Sequence, residues 1–268
     1  MKLFFKILFK GSYYFFKNKN QREFMRLVFL YGDKKRYESR KIKFLDYKIT
    51  VPDCLSFVWQ FKEIFADENY KFNSHSSSPI IYDCGANIGL SCIYFKKLFP
   101  SSKIKAFEAE PAIAEILKNN LKDNRITDVQ VITAAVWNDD KGVDFSSEGA
   151  DGSSMFADGK KSRVNSIRLK DYIEKEERID LLKLDIEGAE TEVIRDCRNN
   201  LGNVQHLFVE YHSYVENRQT LDELLKIITD AGFRYFIKPE QDRKYPFINR
   251  INKNFPHMDL QLNIFAYR

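Results

Sequence analysis

The chain has 268 residues, enough for one large core or for one core with an N-terminal extension. Hydrophobic residues make up 44% and charged residues 30%, a balance that excludes disordered and fibrous classes. The net charge of +5 arises from 43 basic residues interleaved with 38 acids, too mild and too mixed an excess for a nucleic-acid binder.

In chain order, the first sixteen residues carry Phe4, Phe5, Phe9, Tyr13, Tyr14, Phe15 and Phe16. Lys2, Lys6 and Lys10 interrupt them at the spacing that lines one helix face. The segment has neither the unbroken apolar core nor the small-residue cleavage site of a signal peptide. No apolar run in the chain approaches the roughly 20 residues of a bilayer span. Two readings stand: a helix packing its aromatic face on the protein or on a second subunit, which is the favoured one, and an interfacial helix on an anionic membrane. The expected location is the cytoplasm, at the inner face of the membrane under the second reading.

Ile42, Phe44, Tyr47, Ile49 and Val51 alternate around Leu45-Asp46, which predicts a small hairpin. Leu55, Phe57, Val58, Phe61, Ile64 and Phe65 then recur at helical spacing. The polar run 74–79 separates these elements, a cap spanning 1–78, from a main domain over 79–268. Cys54, Cys84, Cys92 and Cys197 form no C-x-x-C pair. They read as free thiols in a reducing compartment, with no zinc site and no disulfide.

Beyond the seam, short apolar runs alternate with amphipathic segments, the signature of βαβ units around a mostly parallel sheet in an α/β fold. The predicted strands are Ile80–Asp83, Lys103–Glu108, Val129–Ala134, Ile179–Asp185 and His206–Glu210. The predicted helices are Leu90–Phe99, Ala112–Asn124, Ala189–Leu201 and Leu221–Ala231. Thr220 and Glu223 have the spacing of a capping box for the last helix, and Gly232 follows its end. Residues 139–166 read as an irregular loop with one added strand. Phe233–Lys238 and Leu262–Tyr267 are expected to pair as an antiparallel edge.

The first strand ends in Asp83, and Gly85 and Gly89 then open a helix. A strand, a tight turn and a helix N-terminus is how α/β proteins hold nucleotide-like ligands. The spacing is not the dinucleotide G-x-G-x-x-G. An acid ahead of the glycines suits a ligand with positive charge and ribose hydroxyls, and S-adenosylmethionine has both.

Asp83, Glu108, Asp185 and Glu210 each close a predicted strand, so all four are expected at one crevice, with Glu108 placed to grip ribose hydroxyls. Asp185 and Glu187 alternate with Leu184 and Ile186 and should project to one side, beside Lys183. Two acids packed there are costly unless something binds them: Lys183, the sulfonium, or a divalent cation. The cation is the least favoured, because no His or Asn is interleaved at a metal spacing, and no metal ligand is assigned. Glu190 and Glu192 favour the positive end of the helix they open. His212 lies just past a predicted strand end and is the candidate general base facing an acceptor. His75, His206 and His257 receive no catalytic role.

The runs Asp83-Cys-Gly-Ala-Asn-Ile-Gly89, Ala106-Phe-Glu-Ala-Glu-Pro111, Ala134-Ala-Val136 and Lys183-Leu-Asp-Ile-Glu-Gly-Ala-Glu190 resemble the FkbM family of S-adenosylmethionine-dependent methyltransferases. The similarity covers about residues 79–238, and the Asp-Ile-Glu-Gly-Ala-Glu segment is its most specific part. The resemblance implies a Rossmann-like class I fold, with seven strands in the order 3-2-1-4-5-7-6 and helices on both faces. It also implies O-methylation of a hydroxyl on a sugar or natural product. Carried onto this chain, it places Asp83, Gly85 and Asn87 around the methionine half of the cofactor, with Ala86, Gly89 and Asp185 in the same site. Glu108 takes the ribose, and Ala134, Ala135 and Val136 lie near the adenine. Ala109-Glu110-Pro111 departs from the Pro-Asn-Pro type sequence of many relatives, a change of loop detail. Residues 1–78 are not covered and are where acceptor selection would reside.

The expected reaction is in-line attack of an acceptor hydroxyl on the sulfonium methyl, with a positioned base removing the proton. His212 is the first choice; Asp185, Glu187 and Glu190 compete. The acceptor is a small molecule or glycan, and no nucleic acid is expected. Two other classes stay open: a nicotinamide-dependent oxidoreductase, and an inactive adaptor docking on a membrane or glycan-assembly complex.

Overall fold

The computed structural model describes residues 18–146, 161–240, 243–249 and 257–268. The expectation for residues 1–16 lies outside them. The N-terminal elements are α1 (Lys19–Tyr31), the hairpin β1 (Arg40–Phe44) and β2 (Tyr47–Val51), and α2 (Cys54–Phe61), which runs into a π-helical turn at Lys62–Ala66. The hairpin has the predicted register, with Phe44 opposite Tyr47, so Leu45 and Asp46 make the turn.

The main body follows as β3 (Ile80–Cys84), α3 (Leu90–Leu98), β4 (Lys103–Glu108), α4 (Pro111–Asp123) and β5 (Val129–Thr133). Next come β6 (Ala135–Trp137), β7 (Val143–Ser146), β8 (Lys161–Val164), β9 (Ser166–Arg168) and α5 (Leu169–Ile173). The chain ends with β10 (Ile179–Leu184), α6 (Glu190–Cys197), β11 (Val204–Tyr214), α7 (Leu221–Asp230), β12 (Arg234–Pro239) and β13 (Met258–Tyr267).

Seven of these strands form one sheet in the order β12-β13-β11-β10-β3-β4-β5, the expected 3-2-1-4-5-7-6 read from the opposite edge. β13 runs antiparallel to both β11 and β12, and the other pairings within β11 to β5 are parallel. β10 is buried along its whole length, as a central parallel strand covered on both faces must be.

Two apolar clusters cover the two faces. One joins β1, β2 and α2 to α3, α4 and the near face of β3 and β4. The other packs α5, α6 and α7 against β10, β11 and β13. The rings in the first cluster account for much of the aromatic content: Phe44 contacts Phe57, Phe61 and Phe65, and Phe65 meets Tyr94 edge-on. A polar clamp also ties the hairpin down. Asn120 on α4 accepts the Thr50 N–H at 2.7 Å and donates to the carbonyls of Thr50 and Ile88, each at 3.0 Å. Asn124, one turn later, makes the same pair of bonds to Lys48. Two amides at i and i+4 therefore serve the outward backbone of β2 as a third strand would.

Four expectations are corrected. β11 does not stop at Glu210 but continues to Tyr214, because β13 pairs with it throughout and satisfies the backbone of Tyr211 to Tyr214. Residues 139–166 hold more than one added strand, since β7 and β8 pair with each other and β9 pairs with β6. α6 ends at Cys197 rather than Leu201, where a 3-10 turn takes over. The capping box of α7 does not form. Its two side chains are recruited by α6 instead: Thr220 Oγ1 lies 2.8 Å from Thr191 Oγ1, and Glu223 pairs with Arg195. Gly232 does terminate that helix. Its φ of +88° lets its N–H reach the Thr229 carbonyl and the Phe233 N–H reach Ile228.

Candidate active site

The turn after β3 is set by how closely two strand ends approach. Gly85 has φ +83°, and a Cβ built there would lie 1.8 Å from the Asp185 carbonyl oxygen. Only glycine lets the β3 and β10 exits lie side by side, where the Asp185 N–H donates to the Cys84 carbonyl. The N–H groups of Gly85 and Ala86 both donate to Phe107 O, which locks the loop to the end of β4. Asn87 takes φ +47°, a region Asn tolerates, and its N–H donates to Glu108 Oε2 at 2.9 Å.

These residues floor a crevice lined by Gly85, Ala86, Asn87, Glu108, Ala134, Ala135, Val136, Asp185 and Glu187, with Lys183 at its base. Glu108 ends β4, and its other oxygen accepts the Glu110 N–H at 2.9 Å. Burial pushes its carboxyl up to about 7 against the pull of those two N–H donors. Lys183 is buried between β3 and β10. It lies 3.3 Å from both Asp83 Oδ1 and Asp185 Oδ2 and donates to the Gly85 carbonyl at 2.9 Å. Burial works against its charge, but Asp185, Asp83 and Glu210 outweigh it and raise its pKa. Lys183 is thus the partner of Asp185, one of the two acids expected to crowd this turn.

Four proposed site residues do not reach the crevice wall. Asp83 is fully buried and points at α3, accepting Ser91 Oγ at 2.5 Å, so its task is to hold Lys183 and the start of that helix. Gly89 is the left-handed cap of α3, with a built Cβ 3.3 Å from Leu117; its smallness serves packing. Glu190 is buried, and its carboxylate accepts the N–H groups of Ile186 and Gly188 and faces His212 Nδ1 at 3.1 Å. It clamps the turn at positive-φ Glu187 and Gly188 and has no exposed oxygen to offer an acceptor. His212 lies within β11 rather than past its end, buried behind Glu187. Its Nε2 is 3.8 Å from Glu187 and 3.7 Å from Glu210. Burial opposes a charge on this ring, but Glu187, Glu190 and Glu210 together raise its pKa well above the usual imidazole range.

Asp185 and Glu187 do converge, though not by strand alternation. The backbone leaves β10 at Leu184, and Glu187 turns in through φ +57°. With His212 they place three donor atoms within 4.8 Å of one another. The His missing from the local sequence pattern therefore arrives from the neighbouring strand. Neighbouring ligands around Mg²⁺, with bonds of 2.0–2.1 Å, sit roughly 3 Å apart. At 3.8 Å the Glu187–His212 pair is wider than that and would have to close to share such an ion.

The N-terminal cap supplies a wall that the sequence reading missed: Gln60, Glu63, Ile64 and Tyr70. Glu63 sits on the π-helical turn, a form often found at functional sites. Burial, then the charges of Glu240 and Asp185, push its carboxyl up to about 7. The helical spacing of the surrounding apolar residues gave no sign that this acid would be drawn inward. The π turn was the local departure that could not be read from spacing.

The residues present fit the expected cofactor. Glu63, Glu108, Asp185 and Glu187 line one crevice in which Lys183 is the lining cation among the described residues, so a cationic ligand would relieve the crowding. Glu108 retains lone pairs for ribose hydroxyls, and the small side chains of Ala134 and Ala135 leave room for a flat base beside Val136.

Comparison with known proteins identifies the family. The family described as methyltransferase FkbM domain matches residues 83–235. Methyltransferase sdnD of Sordaria araneosa is 30% identical over 211 residues, which cover 65% of this chain and 80% of that protein. Methyltransferase 1 of Beauveria bassiana is 28% identical over 160 residues, 50% of this chain and 64% of that protein. The 2-O-methyltransferase NoeI of Sinorhizobium fredii is 24% identical over 155 residues, 50% of this chain and 63% of that protein. The chain thus spans just under two thirds of the length of the latter two.

Proposed function

The chain belongs to the methyltransferase FkbM domain family, and from that premise we propose that it moves a methyl group from S-adenosylmethionine to a hydroxyl oxygen, that of a sugar in a glycan or glycosylated metabolite. When bound, S-adenosylmethionine supplies the sulfonium methyl and a thioether leaving group. In this reading Glu108 holds the ribose hydroxyls, Ala134 to Val136 flank the adenine, and Asp185, with Glu63 across from it, faces the cationic end.

The proton of the acceptor hydroxyl is the remaining problem, since an alcohol does not ionise unaided at neutral pH. Asp185 is committed to Lys183, and Glu190 to the turn. Glu187 is the carboxylate that lines the crevice with His212 directly behind it, so we assign it the proton, with His212 as its positioned counter-charge. With Nδ1 on Glu190 and Nε2 behind Glu187, the buried ring has no open path to an acceptor, so in this reading His212 is a positioning residue rather than the base.

The convergence of Asp185 and Glu187 beside Glu108 carries this reading. An acid-walled acceptor end suits donors such as sugar hydroxyls, and the 2-O-methyltransferase name of one relative supports oxygen as the target. Incubation with methyl-labelled cofactor and fractionated glycans, lipids and small metabolites tests it. Label should appear as a methyl ether on a saccharide; label confined to protein or nucleic acid would overturn the assignment. Glu187→Gln should lower turnover by about a hundredfold to ten-thousandfold with cofactor affinity unchanged.

A further inference from the structure

We propose that the outer face of α1, with Trp59 beside it, docks the protein on an anionic lipid bilayer. The second half of α1 is apolar on nearly every side: Phe24, Met25, Leu27, Val28, Phe29, Leu30 and Tyr31 all lie within it, yet among them Leu27 alone is fully buried. A helix apolar all round needs cover on its outer side as well. Phe29 is 88% exposed and Trp59 57% exposed, and Met25, Val28 and Trp59 line a shallow apolar groove between α1 and α2.

Helical spacing identifies the occupant. Lys19, Arg22, Met25 and Phe29 follow one another at steps of three or four and, with Arg26 one turn from Arg22, lie on the side away from Leu27, every one of the five exposed; the Arg26 guanidinium is held there by Glu23 and the Lys43 carbonyl. Cations flanking an aromatic ring on one exposed face are the pattern of a helix lying in a lipid headgroup layer. Charge along the chain agrees. Residues 1–48 hold 14 basic residues and 4 acids, so this stretch carries +10 in a chain whose total is +5. Residues 1–17 continue the composition, with four lysines, seven aromatic rings and no acid. A second copy of the chain is the poorer occupant, because a two-fold contact on this face would set its own cations against each other. An anionic surface meets both components at once, each basic residue near it contributing about fivefold in binding.

The test is sedimentation of the full chain with vesicles of phosphatidylcholine alone and of phosphatidylcholine mixed with phosphatidylglycerol. The chain should sediment with the mixed vesicles and be released by high salt. The double variant Met25→Ser, Phe29→Ser should bind them about tenfold more weakly while keeping its affinity for S-adenosylhomocysteine, which reports an intact fold. Equal vesicle binding by the double variant would overturn the proposal, as would binding to neither vesicle. A dimer in analytical ultracentrifugation that the double variant dissolves would assign the face to a second copy instead.

Discussion

Glu108 shows how one carboxylate can be both fastened and available. Each oxygen takes one backbone N–H, from Asn87 and Glu110, and each keeps capacity for a ligand hydroxyl. Removing it with Glu108→Ala deletes charge-assisted bonds of about 1.5–3 kcal/mol, so S-adenosylhomocysteine should bind at least tenfold more weakly in calorimetry. An unchanged affinity would take Glu108 out of the ribose site. Glu63 and Glu108 together predict a pH dependence. Both carboxyls lie near 7, largely protonated at pH 6 and largely ionised at pH 8. A cationic, hydroxyl-bearing ligand favours their charged forms, so affinity should rise about tenfold across that interval, with protons released on binding near pH 7. The free protein behaves oppositely. A carboxyl raised in the folded state contributes stability below its ordinary range, and that contribution is lost as pH rises through 7. A flat affinity from pH 6 to 8 would contradict both assignments. At this scale Glu108 and Asp185 were legible because a short apolar strand that ends in an acid places it at the carboxyl edge of the sheet, whereas Asp83 and Glu210, expected beside them, do not line the crevice. The orientations of Asp83 and His212 were not legible, since they depend on helix α3 and on the length of β13, each distant in sequence from the residue it aims.

Among the elements, the hairpin β1–β2 and the helix α4 belong together. Asn120 is fully buried and joins Thr50 in β2 to Ile88 in the glycine turn, so it couples the cap to the crevice floor. Asn120→Ala would leave several buried backbone groups without partners and should lower stability by about 2–4 kcal/mol in urea unfolding. A loss under about 0.5 kcal/mol would mean that water replaces the amide and the coupling is not real. Helix ends show where local rules hold and where they yield. Gly232 terminates α7 because its φ requirement is local and no neighbour competes for it. Thr220 and Glu223 have the right spacing for a capping box, but α6 offers Thr191 and Arg195 within reach, and tertiary partners win. The π turn at Lys62–Ala66 belongs to the second kind. Apolar spacing through Phe61 and Phe65 announced a helix and could not announce the extra residue that swings Glu63 toward the crevice.

For the molecule as a whole, strand order was readable because right-handed crossovers between short apolar runs leave few topologies, and the family motifs select one of them. The relation of the cap to the sheet was not readable. Residues 18–78 lie ahead of the matched family segment, and their contribution rests on a core that joins Phe44, Phe57, Phe61 and Phe65 to Tyr94 and Phe95 of α3. That core turns a two-sided crevice into a walled one, with Gln60, Glu63 and Tyr70 facing the glycine turn. In the proposed reaction this walled space receives the adenosyl cofactor. The most direct measurement is a crystal structure of the protein soaked with S-adenosylhomocysteine. The ligand should lie in this crevice, with ribose hydroxyls on the Glu108 carboxylate and the amino end near Asp185 and Glu63. A ligand bound elsewhere, or its ribose held by other residues with Glu108 turned away, would contradict that placement.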